Sequence, residues 1–443
     1  MQLLLNQLTI ESMKQFVFRA SLWTWVFFCA CFSFATPPED WLKKTFPTAT
    51  ITSIPESDHF KECYQVVLQQ FLDHAHPKKG TFDQYIYVSH IDPSKPVVLV
   101  TEGYSAYQTT YELSSMMECN QVIVEYRFYG KSRPKIIPWE YLTNDQAIGD
   151  YHSIVSAFKT YYTGKWISTG ISKGGETVLI YKSKFPTDVD VAVPYVAPLI
   201  NGTQDPRTIA HIQQVGDEAC RKEVTRFQRL LLERRQELLI EIDGHIQRTG
   251  ATFHEVPTEE ALEYAALEFS FSFWQWGGSC AEIPPNDASA SAIFDYMNRI
   301  VGIDFYNDQQ YEELLPSYYQ HHTELGYYGF DLSPVSDLLQ IVKSSTNLRF
   351  APKNVVITYN PNYIKKVREF VEQKGDRSLY IYGGNDTWGA CSPNPASLVD
   401  ALKMVLAGGS HATRINDFPA NDRMRIYDQL EKWLGEGIII QRL

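Results

Sequence analysis

Apolar residues along this chain fall into short runs cut by polar turns, and the first run differs from all others. Residues 20–35 are almost unbroken apolar, with Lys14 and Arg19 ahead and the polar Thr36-Pro37-Pro38-Glu39 directly behind. A charged start, an apolar stretch and small residues at its end form the layout of a secretory signal. The run falls short of the ~20 residues that a helical membrane span needs. Ser33-Phe34-Ala35 places small residues where a signal peptidase reads, so residues 1–35 are expected to be removed after Ala35. Met13 offers a second start, and Cys29-Ala30-Cys31 loosely matches a lipoprotein site, which makes Cys31 an alternative lipid anchor. Either route predicts an exported protein: periplasmic, secreted or anchored at the cell surface.

Beyond the leader, residues 63–71 and 81–89 carry alternating, β-branched and aromatic positions and predict strands. Residues 90–96 read as a turn. Compact apolar runs at 96–101 and 121–127 predict buried parallel strands. Helical spacing at 148–162, strand character at 165–170, a helix over 172–185 and a strand over 190–196 continue the pattern. Strand and helix in alternation predict an α/β fold, a parallel sheet with helices on its faces. The pattern changes near Pro198. Residues 221–242 read as one long charged amphipathic helix and 257–274 as another, so 200–345 is expected to be a mostly helical cap insertion. Alternation returns with a helix at 361–373, strands at 378–382 and 403–407, and a closing helix at 422–434. Residues 45–199 and 346–443 would then be two parts of one sheet domain.

A formal charge of −12 over 443 residues opposes binding to a polyanion, and no Lys/Arg block suggests a nucleic-acid partner. Loss of the leader leaves Cys63, Cys119, Cys220, Cys280 and Cys391, an odd number, so at least one thiol stays unpaired within the chain. None of these five forms a Cys-x-x-Cys pair, and His321-His322 lacks partners at ligand spacing, so no metal is expected.

Gly170-Ile171-Ser172-Lys173-Gly174 has the G-x-S-x-G form of a nucleophile elbow, between a predicted strand and a predicted helix. A serine hydroxyl is a weak nucleophile and must stand where a base can reach it, which such a turn provides. The backbone N–H of Lys173 would then face the developing oxyanion. An acid and then a histidine should follow in chain order. Of the 11 histidines, His411 alone lies beyond residue 322, in Gly408-Gly409-Ser410-His411. Asp386 lies in the loop after the 378–382 strand. Asp376 precedes that strand, at the wrong edge, and Asp417 suits a brace beside His411. The loop Thr101-Glu102-Gly103-Tyr104 follows the 96–101 strand and would supply the second oxyanion donor through Tyr104. Glu102 is a carboxylate beside an acyl-transfer site; it either holds a cationic α-amine or pairs with Arg127. A residue within 260–330 is the alternative anchor for the amine. The stripe Phe271-Ser272-Phe273-Trp274-Gln275-Trp276 reads as core or as a ligand wall in which Trp274 and Trp276 touch substrate.

Four segments carry a family resemblance: Gln69-Gln70-Phe71-Leu72-Asp73-His74, Thr101-Glu102-Gly103-Tyr104, Glu125-Tyr126-Arg127-Phe128-Tyr129-Gly130-Lys131-Ser132 and Gly170-Ile171-Ser172-Lys173-Gly174-Gly175. With the Asn385-Asp386-Thr387-Trp388 and His411 loops, they make the chain, from about residue 45 on, resemble the bacterial secreted tripeptidyl aminopeptidases. These are serine peptidases related to prolylcarboxypeptidase and dipeptidyl-peptidase II. The resemblance implies an α/β-hydrolase fold with a helical cap and a Ser172, Asp386, His411 triad. It further implies no cofactor, release of tripeptides or dipeptides from free N-termini, and a liking for Pro before the cut in some relatives. A carboxylesterase or amidase of the same fold is the competing enzyme reading, and a catalytically silent binding protein the competing class.

Overall fold

The computed structural model describes residues 36–57, 59–435 and 440–441. The expected signal peptide, its cleavage site at Ala35 and the Cys31 anchor lie outside the described residues. The chain separates into two compact units, Met1–Trp41 and Leu42–Leu443. The described end of the first unit opens a short helix, Pro38–Thr45, with Glu39 and Asp40 in its first turn, where the helix dipole favours carboxylates.

The second unit holds a nine-stranded sheet in the order β1-β2-β3-β5-β4-β6-β7-β8-β9. Its strands are β1 (Thr50–Ile54), β2 (Glu62–Phe71), β3 (Thr81–His90), β4 (Val97–Thr101), β5 (Asn120–Val124), β6 (Trp166–Ile171), β7 (Val191–Tyr195), β8 (Ser378–Gly383) and β9 (Ala401–Leu406). The first three strands and the β3–β5 pair are antiparallel, and every pairing from β5 to β9 is parallel. Strands β4, β5, β7 and β8 are buried along their whole length, as continuous apolar runs require of a sheet covered on both faces. This is an α/β-hydrolase sheet, with its order reversed around β4 and β5. Strand β1 escaped the sequence reading because its Thr-Ile-Thr-Ser-Ile is a half-exposed edge without alternation. Strand β5 ends at Val124 and not at 127. Glu125 and Arg127 leave the ladder, their side chains binding the Ala106 N–H and Asp150, and Phe128 takes φ 68°.

Helices α1 (Glu112–Met117) and α11 (Ala420–Leu434) share one core with the sheet, through Leu113, Met116 and Met117 on one and Ile426, Leu430 and Trp433 on the other. Helix α2 (Asn144–Phe158) packs beside α3 (Lys173–Lys184), which lies on β6 and β7, and α10 (Asn362–Lys374) packs against α3.

Between β7 and β8 the chain passes through α4 (Pro206–Ile212), α5 (Glu218–Glu233), α6 (Arg235–Thr249), α7 (Thr258–Trp276), α8 (Ala290–Ile300) and α9 (Asp308–Gln320). They enclose a core of their own that includes Phe227, Leu231, Leu262, Phe269, Phe273 and Met297. Helix α7 is its axis, buried at nearly every position from Ala261 to Trp274. Asp217, Ser289 and Asn307 start three of these helices by accepting a backbone N–H at the N-cap.

The single helix expected over 221–242 is two. Arg234, at φ −101° and ψ 27°, ends α5 and begins α6 with no Gly or Pro nearby. The break turns Arg235 inward to the buried Glu263 at 2.7 Å, whose carboxylate also accepts the backbone N–H groups of Gln340, Ile341 and Val342. A tertiary partner, and not a local breaker, decides this boundary.

Cys220 on α5 and Cys280 beyond α7 form a disulfide across 60 residues, while Cys63, Cys119 and Cys391 are buried free thiols. In the chain-entropy account, closing such a loop stabilises the fold by about 4 kcal/mol. Reductant is therefore expected to lower the thermal midpoint of the intact protein. The Cys220→Ser/Cys280→Ser variant should melt at the lower temperature and lose its sensitivity to reductant. An unchanged midpoint in both measurements would refute the bond's contribution.

Candidate active site

Strand β6 runs out at Ile171, α3 begins at Lys173, and Ser172 between them takes φ 58° and ψ −122°. Such a conformation is costly for a residue with a side chain, on the order of 1–3 kcal/mol. The glycines around it are sterically required. A Cβ on Gly170 would lie 2.4 Å from the Gly174 backbone, and one on Gly174 would lie 2.7 Å from the Thr101 carbonyl. The Ser172 N–H donates to the Tyr195 carbonyl at 3.0 Å and the Ser172 carbonyl accepts from Glu176 at 2.9 Å, which fixes the turn from both sides.

Asp386 and His411 stand on the loops after β8 and β9. Their side chains meet at 2.8 Å, His411 Nδ1 to Asp386 Oδ2, and both are almost fully buried. The other carboxylate oxygen of Asp386 accepts the Trp388 N–H at 3.1 Å. The two loops touch through backbone: a Cβ on Gly383 would lie 2.3 Å from the Ser410 carbonyl. The His411 N–H donates to the Gln275 carbonyl at 2.8 Å, so the last turn of α7 also holds the histidine in place. The rival acids are elsewhere engaged. Asp417 accepts the Arg414 N–H at 2.8 Å, a brace of the same loop, and Asp376 accepts the Asp400 N–H at 2.9 Å.

The loop after β4 lies against this elbow, since a Cβ on Gly103 would come within 2.6 Å of the Gly174 nitrogen. The Lys173 side chain ties the two together. Its buried Nζ donates to the Gly103 carbonyl at 2.8 Å and sits 3.7 Å from the Tyr126 ring centroid and 5.0 Å from that of Tyr129. Burial pulls the ammonium below its ordinary range and pushes the neighbouring Glu176 up. Gln320, at the end of α9, donates to the Tyr126 hydroxyl at 2.9 Å and accepts from Tyr129 at 3.2 Å, closing the cage from the helical segment. The Tyr104 carbonyl accepts from the Tyr126 N–H at 3.2 Å, and the Glu125 carboxylate holds the same loop through the Ala106 N–H at 2.9 Å.

Ser172 opens into a cavity of about 410 Å³ whose other walls include Tyr104, Glu268, Phe271, Trp276, Tyr328 and Trp388. Glu268 is its carboxylate. It accepts the Ser272 hydroxyl at 2.8 Å and the Tyr328 hydroxyl at 2.5 Å, and burial raises its pKa to about 7 against those two bonds. Ser172 therefore shares an aromatic chamber with one buried acid.

Residues 48–438 match the family described as PS-10 peptidase S37. The chain belongs to this family of serine peptidases. It is 32% identical over 379 residues to a prolyl tri/tetrapeptidyl aminopeptidase of Streptomyces mobaraensis, covering 83% of this chain and 79% of that one. Among solved structures, it is similar to a proline iminopeptidase of Mycobacterium smegmatis at 12% identity, covering 87% of this chain and 99% of that one, with a TM-score of 0.39. An α/β-fold hydrolase of Bacillus anthracis gives 12% identity, coverage of 87% and 98%, and a TM-score of 0.31.

In this S37 peptidase Ser172, Tyr104 and Trp276 line one cavity, and Trp276 stands edge-on to His411 at 5.6 Å between ring centroids. Two of the residues expected to bind substrate do not line it. Trp274 lines a separate cavity of about 450 Å³ with Arg221 and Asp331, while Phe271, Gln275 and Trp276 of the same helix line the one that holds Ser172. Glu102 accepts the Tyr111 hydroxyl and is raised to about 7 by burial. Nor does Glu102 pair with Arg127, whose guanidinium binds Asp150 at 2.6 and 2.8 Å and the carbonyls of Phe71, Leu72 and Tyr141. The Glu125-x-Arg127 motif is thus a brace: one residue holds the Gly103 loop, the other ties β2 to α2. His321 donates from Nδ1 to the Gly326 carbonyl, 2.9 Å away, and its ring lies 4.2 Å from that of Tyr327. Glu268 was readable only as the one charged residue of Ala265–Phe271.

Proposed function

We propose that this serine peptidase is an exported exopeptidase that removes tripeptides or dipeptides from free peptide N-termini, favouring Pro before the cut. Ser172 is the nucleophile, His411 its base and Asp386 the residue that holds the imidazole. Ser172 attacks the scissile carbonyl, His411 takes the hydroxyl proton and passes it to the leaving amine, and water then hydrolyses the acyl-enzyme. The N–H of Lys173, free at the first turn of α3, and that of Tyr104 receive the oxyanion.

The observation that carries this reading is Glu268, a desolvated carboxylate in the same chamber as Ser172. A peptide α-amine has a pKa of ~7.7–8.0 and is cationic at neutral pH. A buried acid is its natural partner, since charge-assisted hydrogen bonds are about twice as strong as neutral ones. Glu268 takes the role that the sequence left between Glu102 and a residue of 260–330. The name of the Streptomyces relative supports both the tripeptide length and the Pro preference.

Glu268→Gln is expected to raise KM for free-amine peptides by roughly 10–100-fold, the worth of a hydrogen bond to a charged group. It should change cleavage of N-acetylated peptides little. The pH dependence follows. Glu268 is ionised above about 7 and the substrate amine is protonated below about 8. In kcat/KM, which reports the free enzyme and free substrate, the preference for free over acetylated peptides should rise through the first value and fall through the second. The Glu268→Gln variant should lose the rising limb. Mass spectrometry of products from a peptide library with free and acetylated N-termini tests the whole reading, and equal cleavage of the two sets by the wild type would reject it.

A further inference from the structure

A second cavity, of about 250 Å³, adjoins the elbow from another side. Its lining includes Tyr107, Tyr111, Leu113, Ile171, Tyr195 and the charged Glu112 and Arg414. Among these are neighbours of the elbow, of the loop after β4 and of the histidine loop. Ile171 is the residue before Ser172. Tyr111 donates its hydroxyl to Glu102, on the loop that ends at Tyr104. Arg414 follows His411 by one turn of loop and donates to the His411 carbonyl at 3.2 Å. A cavity that borders the nucleophile strand, the oxyanion loop and the histidine loop, yet excludes the chamber residues Glu268 and Trp276, lies beside the scissile bond and away from the amine anchor.

A peptide bound for cleavage has two sides. With its N-terminal residues in the Glu268 chamber, the residue after the cut needs a place of its own. We infer that the Tyr107–Tyr111–Arg414 cavity is that place. It takes a large apolar or aromatic side chain on the residue that follows the cut. The inference rests on the exopeptidase reading above and adds the leaving side to it.

The walls state the chemistry. Tyrosine rings and Ile171 and Leu113 offer apolar area, which rewards burial of a large side chain roughly in proportion to its surface. The two charged side chains, Arg414 and Glu112, carry opposite signs. Glu112 accepts from the Tyr195 hydroxyl at 2.8 Å and the N–H groups of Ile415 and Asn416 at 3.1 and 2.9 Å. Arg414 donates to the carbonyls of His411 and Thr413, at 3.2 and 2.9 Å, and its guanidinium stands 5.7 Å over the Tyr195 ring. Both are held by the protein itself, which leaves the aromatic and aliphatic wall to meet the incoming side chain.

The test is a set of tetrapeptides with one common N-terminal tripeptide ending in Pro and Gly, Leu or Phe as the fourth residue. The quantity is kcat/KM, which includes departure of the leaving amine. Wild-type enzyme should cleave the Phe and Leu peptides at least tenfold better than the Gly peptide. Tyr107→Ala, at a side chain that is 72% exposed and so not needed for folding, should shrink the Phe-over-Gly ratio. Ratios within one protein cancel any general loss of activity. Equal kcat/KM for all three peptides in the wild type overturns the cavity assignment while the exopeptidase reading stands. Failure to cut any of them, with activity on blocked esters retained, overturns both.

Discussion

Replacing Ser172 with alanine is expected to lower kcat/KM by roughly 10⁴–10⁶-fold, and replacing His411 with alanine by about as much, because the two act as a unit. Without the hydroxyl there is no acyl-enzyme, and what survives is attack by water assisted by the oxyanion donors. The fold should not suffer. Alanine keeps the Cβ, and the elbow is held by backbone bonds from Ser172 to Tyr195 and Glu176, which the substitution leaves alone. Circular dichroism and the thermal midpoint of Ser172→Ala should match the wild type, while labelling by a fluorophosphonate disappears. Turnover near the wild-type rate in the purified variant would end the assignment of Ser172 as nucleophile. Labelling that persists would place the reactive serine elsewhere.

How much of this was legible in the sequence depends on how local its causes are. The elbow was, because Gly170, Gly174 and Gly175 are demanded by contacts within one strand–turn–helix and with the strands beside it. Asp386 and His411 were, because chain order and loop position left few rivals. Buried strands such as β4 and β7 announce themselves as unbroken apolar runs, whereas the exposed edge β1 does not. Partnerships across long separations were not legible. Arg127 is 23 residues from Asp150, and Tyr328 is 60 residues from Glu268. No periodicity connects either pair. The bond between Glu102 and the Tyr111 hydroxyl was not legible either, although only 9 residues separate them, because the turn that brings the hydroxyl to the carboxylate leaves no pattern in the sequence. The division between α5 and α6 at Arg234 likewise follows from Glu263, a residue of another helix.

The second large effect expected is that of Asp386→Asn, about 10⁴-fold in kcat, the size known for this change in a serine triad. The structure gives the reason in this protein. Both carboxylate oxygens accept from a donor: Oδ2 from His411 at 2.8 Å and Oδ1 from the Trp388 N–H at 3.1 Å. An amide has one acceptor oxygen and one NH₂. If the oxygen stays on His411, the NH₂ is forced against a backbone N–H that cannot change its role. If the oxygen moves to Trp388, the NH₂ faces Nδ1, and the imidazole can adapt by shifting its own proton to Nε2. The second arrangement is the one with no donor facing a donor. It also removes the lone pair that must take the proton from Ser172, so the base is lost although every atom keeps its place. Asp386→Ala would confuse this with a cavity at a fully buried site, which is why the isosteric change is the informative one. Asp386→Asn should therefore fold and melt much as the wild type does and bind product peptides normally, yet turn over about 10⁴-fold more slowly. Activity within tenfold of wild type would show that His411 is oriented by the Gln275 carbonyl and the loop backbone alone, and that Asp386 is a cap for its own loop.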